Sequence, residues 1–134
     1  MSYPLEKREL IAEAPGLRMQ ILTLAAGQEV PWHWHSEVTD TFWCMDGPMV
    51  IEMRAPREEV ELAPGQMHAV QAKRLIREGG IAGAVNQPLK HEIASSKLWM
   101  MRCTHRVTGK DGGRCRFAIL QGVGTYDFQP VGGA

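Results

Sequence analysis

Residues 27–47 read GQEVPWHWHSEVTDTFWCMDG, and the reading of this stretch decides the fold. His33 and His35 stand one residue apart, and Asp40 follows five positions after His35. On a β-strand successive side chains alternate faces, so the two histidines point the same way, ~6.6–6.8 Å apart along the strand. If the chain turns back after Ser36, Asp40 returns beside them. Imidazole suits Fe, Cu, Ni and Zn, and a carboxylate adds hard-oxygen ligation suited to Mn or Fe. A metal centre is therefore the expectation, although a His-X-His pair alone is common on surface strands. Trp32 and Trp34 fall on the opposite face and are expected to pack there.

Working outward, short β-type runs alternate with turn signals. Leu17 to Ala25 is a β-rich run ending near the turn at Gly27. Val30 to His35 and Thr39 to Met45 read as strands, and Asp46-Gly47-Pro48 is a strong turn. Met49 to Arg54, Val60 to Leu62, Met67 to Gln71 and Phe117 to Gln121 continue the pattern, with turns at Pro56–Glu59 and Ala63-Pro64-Gly65. Several short strands at this spacing predict an all-β sandwich or barrel. Residues 1–16, broken by Pro4, Pro15 and Gly16, read as an N-terminal arm or an edge strand.

One segment departs from this rhythm. Residues 75–103 read LIREGGIAGAVNQPLKHEIASSKLWMMRC. Asn86 is placed to cap a helix with Pro88 in its first turn, and Leu89, Ile93 and Met100 fall on roughly one helical face. The expectation is an insertion carrying a short helix.

Composition narrows the function classes. A chain of 134 residues implies one domain with a real core. The 15 basic residues balance the 15 acidic ones, which gives no electrostatic case for a nucleic-acid or anionic-membrane partner. No stretch approaches the ~20 apolar residues of a membrane span. The N-terminus lacks the apolar run of a signal peptide. The odd set Cys44, Cys103 and Cys115 favours free thiols and a reducing compartment. A cytoplasmic protein is expected.

The spacing Gly27, five residues, His33-X-His35, four residues, an acid, six residues, Gly47 resembles the first motif of the cupin family. That family normally places Glu where this chain has Asp40. Leu62-Ala63-Pro64-Gly65 looks like the start of the second motif. Its continuation departs from the pattern: Gln71 stands where Pro is usual, Lys73 where Gly is usual, and Ile76 where the third histidine should be. Thr104-His105-Arg106-Val107-Thr108 looks like the missing end, with Gly109 where Asn is common. Joining Arg74 directly to Thr104 restores the family spacing and leaves about 105 residues, near the small end of domain sizes. Cys115 to Phe128 is similar to the closing segment of small single-domain cupins.

The resemblance implies a single-domain cupin-type antiparallel jelly-roll barrel, with residues 75–103 inserted at a hairpin turn near the barrel mouth. Such an insertion is tolerable, because loop closure costs only ~0.6 kcal/mol per doubling of length. It would either cover the mouth as a lid or decorate the surface. The expected metal set is His33, His35, Asp40 and His105. Asp40, one methylene shorter than Glu, would ligate directly or hold a bound water or a histidine. His91 ranks behind His105 as the third histidine, and His68 behind both. Trp34, Phe42, Trp43, Met45, Met53 and Met67 are candidates to line an apolar cavity, Phe42 foremost.

The cofactor expected is a divalent transition metal, with Fe, Mn, Ni and Zn not distinguished. The partner expected is a small-molecule ligand, and the resemblance and N-terminal arm suggest a homodimer. The leading function is a metal-dependent enzyme, a dioxygenase, decarboxylase or relative, acting on a small oxygenated organic molecule with Asp40 in a catalytic role. The alternatives are a non-catalytic binding module for a small ligand or metal, and a scaffold whose site has degenerated.

Overall fold

A computed structural model describes residues 3–54, 57–77, 88–92 and 98–131, with the backbone alone for 74–77, 88–92 and 98–100. The strands are β1 (Lys7–Ala14), β2 (Leu17–Leu24), β3 (Glu29–Trp34), β4 (Thr39–Asp46), β5 (Met49–Met53), β6 (Glu58–Leu62), β7 (Met67–Val70), β8 (Lys73–Arg77), β9 (Pro88–Glu92), β10 (Leu98–Arg102), β11 (His105–Gly109), β12 (Cys115–Gly122) and β13 (Gln129–Pro130). They form two five-stranded sheets, in the orders β1-β2-β12-β4-β7 and β13-β3-β11-β5-β6. Every pairing is antiparallel. The arm at the N-terminus takes the edge-strand form: β1 pairs with β2 and has no second neighbour in its sheet.

Alternation explains how the two sheets close on each other. Leu22 and Leu24 on β2, Phe42 and Cys44 on β4, and Phe117 and Ile119 on β12 are buried from one side. Val30, Ile51, Met53, Leu62 and Val107 meet them from the other, forming one apolar core. Truncating a fully buried ring such as Phe117 to Ala would cost about 3–5 kcal/mol.

The two glycines that bound the opening stretch have different reasons to be glycine. Gly27 turns with φ +81°, which L side chains rarely adopt. Gly47 lacks room instead, since a Cβ there would lie 2.8 Å from Cys44 Sγ and from the Met49 nitrogen.

Among the described residues the helix expected in the insertion is not seen: Pro88–Glu92 and Leu98–Arg102 are strands, and the only helical element is the 3-10 turn Lys110–Gly112. Strands β8, β10 and β9 make a separate three-stranded antiparallel sheet in that order, with Arg74 opposite Met101 and Lys73 opposite Arg102. Pro88 is the first residue of a strand at the sheet edge, one of the few places in a sheet that tolerates a missing N–H. The 3.6-residue spacing of Leu89, Ile93 and Met100 was thus overridden by pairing between Leu98–Arg102 and its two neighbours. Asn86 and Ile93 lie outside the described residues.

Cys44, Cys103 and Cys115 are buried and form no disulfide. Burial pushes the Cys115 thiol up to about 12 and raises that of Cys44, so both are inert packing groups.

Candidate metal centre

Strand β3 carries His33 and ends at Trp34, with His35 directly after it; the two histidines point into the barrel interior and the two tryptophans to its outside. His33 and His35 are each 2% exposed. On the outer face, Trp32 lies under Arg54 at 3.8 Å and beside Arg106 at 5.1 Å, and Trp34 lies under Arg102 at 4.0 Å, measured to the ring centroids. Arg106 also binds the Glu52 carboxylate. Asp40 comes from β4, fully buried on the inner face it shares with Phe42. His105, the first residue of β11, is paired in register with His33 and is 1% exposed.

The four residues form one buried group whose ligand atoms all lie within 4.8 Å of one another. Each imidazole is oriented by a backbone carbonyl: His33 Nδ1 by Pro31 at 2.7 Å, His105 Nδ1 by Cys103 at 3.2 Å, and His35 Nδ1 by Asp127. A carbonyl only accepts, so each Nδ1 carries a proton, and in the neutral ring the lone pair falls on Nε2. All three Nε2 atoms face Asp40 Oδ2, at 2.8 Å from His35, 2.9 Å from His105 and 3.8 Å from His33. Asp40 Oδ1 is buried without a hydrogen-bond partner.

Neutral Nε2 atoms and a carboxylate oxygen all present lone pairs, so a proton or a cation must stand among them. Protonating all three rings would crowd like charge, because the ring centroids lie 4.2–5.8 Å apart. Burial, with His105 alongside, pushes His33 down to about 4 despite Asp40. For His35 burial acts downward, yet the Asp40 hydrogen bond wins and raises it. Burial acts to raise Asp40, but hydrogen bonds with His105, His33 and His35 hold its carboxyl well below the usual range. A divalent cation would satisfy every Nε2 and the orphaned Oδ1 together. The residues fit a metal, and carbonyl-oriented histidines are the usual support for one.

A cavity of about 10 Å³ lies against His33, His35, Asp40 and Phe42, room for about one water-sized species. Aromatic residues from both ends of the chain close it. Phe128 stacks on His33 with centroids 4.5 Å apart, and Tyr3 stacks on Phe128 at 5.6 Å. Tyr126 approaches His35 at 5.4 Å. Asp127 fixes this closing segment: its carboxylate accepts from the Ser36 nitrogen at 2.8 Å and from the Ser36 hydroxyl. Tyr3 and the roles of Tyr126, Asp127 and Phe128 were not expected from the sequence. The only signal was the likeness of residues 115–128 to a cupin closing segment, which assigns no contact.

The other candidates lie elsewhere. His68 on β7 sits opposite Phe42, half-buried, in a separate cleft with Met53 and Cys103. His91 lies on β9, outside the residues whose side chains are described. Phe42 does line the cavity, but Met67 is 54% exposed and Trp34 points outward, because both have the opposite parity to the inner face.

No protein-family model matches the sequence, and no curated protein matches it. Solved structures do match. An RmlC-like cupin protein from Desulfovibrio desulfuricans superposes with a TM-score of 0.54 at 14% identity, over 87% of this chain and 80% of that one. The chain folds as a cupin. KdgF from Halomonas sp. gives 0.58 at 12% identity, over 93% of this chain and 90% of its own. Oxalate oxidase in complex with the substrate analogue glycolate gives 0.58 at 11% identity, over 87% of this chain and 46% of its own. Among the described residues no helix is long and apolar enough to cross a membrane.

Proposed function

We propose that the protein is a metal-dependent enzyme that holds a divalent transition metal through His33, His35, Asp40 and His105 and acts on a small oxygenated organic molecule. The observation that carries this reading is the convergence of three carbonyl-oriented imidazoles on one buried carboxylate. The set offers nitrogen and hard-oxygen donors together, which suits Fe, Mn, Ni or Zn. Such a metal, with positions left open, polarises an oxygen, binds O₂ or activates water. The protein's share is orientation and dryness. Phe128, Tyr126 and Tyr3 exclude bulk water, and Asp40, kept ionised by its three histidine neighbours, accepts a hydrogen bond that orients a bound water or substrate. Oxalate oxidase in complex with a substrate analogue, among the similar structures, supports an enzyme of small oxygenated substrates; dioxygenase and decarboxylase chemistry are the leading classes.

A second reading, a non-catalytic metal-binding module, is favoured by the small size of the enclosed cavity. One experiment separates the two. Metal content is measured on the purified protein, followed by oxygen uptake and carbon dioxide release with a panel of small hydroxy- and keto-acids. The enzyme reading expects about one metal per chain and turnover of at least one acid. Metal without turnover across the panel would leave the binding module, and a chain that binds none of the four metals would remove both. The edge strand β1 exposes Leu10 and Ile11, 57% and 51%, and these support the homodimer reading. A monomer by light scattering would remove it.

A further inference from the structure

One row of cross-strand partners leads away from the centre. Asp40 on β4 pairs with Gln121 on β12, Gln121 with Arg18 on β2, and Arg18 with Glu13 on β1. At the strand spacing of a sheet, the Arg18 backbone stands roughly 10 Å from that of Asp40. Arg18 shares parity with the buried Gln20, Leu22 and Leu24, so its side chain leaves β2 on the inner face. Its guanidinium lies 4.9 Å from the centroid of the Tyr126 ring, and its Nε is buried without a hydrogen-bond partner. An unmet buried donor is costly, and an Arg fork matches a carboxylate in geometry and charge.

Arg18 lines a cleft of about 320 Å³ together with Glu13, Gln121, Thr125 and Tyr126. Gln121 and Tyr126 also line the small cavity at the centre, so the two spaces share a wall. The cleft is large enough for a small organic acid where the inner cavity is not. Glu13 stands next to Arg18 in the row, which disfavours a dianion such as phosphate over a single carboxylate.

We propose that this cleft is the substrate site and that Arg18 binds the carboxylate of a small oxygenated acid, whose oxygen-bearing end points past Tyr126 toward the centre. The direction of the substrate rests on the metal reading; its capture by Arg18 does not. In this arrangement Arg18 contacts substrate and sets its class, and Tyr126 is the partition between capture and chemistry.

The test is an NMR titration of the isolated protein, its metal content measured beforehand, with glycolate, its neutral amide glycolamide, and inorganic phosphate. Glycolate is expected to shift the amides of Gly124 and Thr125 and to bind at least about tenfold more tightly than glycolamide. R18M is expected to lose about tenfold in glycolate affinity while its metal content stays that of the wild type. Equal glycolate affinity in R18M and the wild type overturns the proposal, as does binding of phosphate in preference to glycolate. Should R18M fail to fold, the wild-type comparison decides: equal binding of glycolate and glycolamide overturns it. A protein without metal that still binds glycolate through Arg18 would fail the metal reading and keep this one.

Discussion

The candidate centre would draw its donors from two regions built in opposite ways. His33, His35 and Asp40 come from eight consecutive residues: His33 on β3, His35 directly after its end, and Asp40 on β4. Their convergence follows from local alternation, and little beyond the turn has to form correctly. His105 arrives after the chain has left the barrel, built a separate sheet of β8, β9 and β10, and returned. Nothing local places it. It is set by register, because β11 lies between β3 and β5 with His105 opposite both His33 and Met53. A slip of one residue would turn it to the outer face. A short-range motif can therefore preset most of a centre, while the last donor is a readout of the finished fold.

The largest expected effect comes from breaking the second region at its end point. His105→Ala should lower metal affinity by more than about 100-fold, beyond the 10–100-fold typical of groups that only orient ligands. His68→Ala, at a half-buried position outside the group, should leave it unchanged. Metal content after desalting, read by mass spectrometry for both variants, checks the contrast. An unchanged load in folded His105→Ala would mean that the local three suffice.

The same contrast explains what could be read beforehand. The strands around residues 27–47, the inward face of Asp40 and Phe42, and the outward face of Trp32 and Trp34 all follow from period-two alternation, which is a local property. His105 was legible only through the spacing of a family pattern with a piece removed. The insert was misread, because the helical spacing of Leu89, Ile93 and Met100 competes with strand pairing that no local pattern reveals. The closing segment was missed for a related reason. Phe128 on His33 and Asp127 on Ser36 join positions more than ninety residues apart, and nothing in either segment alone calls for the other.

That closing segment gives a way to sharpen the comparison from the side of the local donors. His35 depends on a distant residue after all, since its Nδ1 is held by the Asp127 carbonyl. Asp127→Ala keeps that carbonyl but removes the carboxylate that ties the segment to Ser36. Burial acts to raise the Asp127 carboxyl, but hydrogen bonds from Ser36 hold it below its ordinary value, so the clamp is ionised and intact at neutral pH. Metal affinity should fall about tenfold, the low end for a group that orients a ligand. Competition with a chelator of known affinity measures it. If affinity is retained, the pairing of Gln129 with Trp34 is enough to hold the carbonyl in place.

The smallest effect is expected from removing most of the detour itself. Arg74 and Met101 are cross-strand partners, so their backbones lie within the reach of a two-residue hairpin turn. Replacing residues 75–100 with Asn-Gly keeps Met101, which is 1% exposed, and keeps Arg102 over the Trp34 ring. It also keeps the Cys103 carbonyl that orients His105. If register alone places the last donor, the shortened chain should fold, with its midpoint within about 5 °C of the parent. It should also bind the same amount of metal. Thermal unfolding and metal content on one preparation answer both questions. A folded variant that has lost its metal would show that a residue of the insert reaches the centre, and the division between a local and a register-set donor would have to admit a third region.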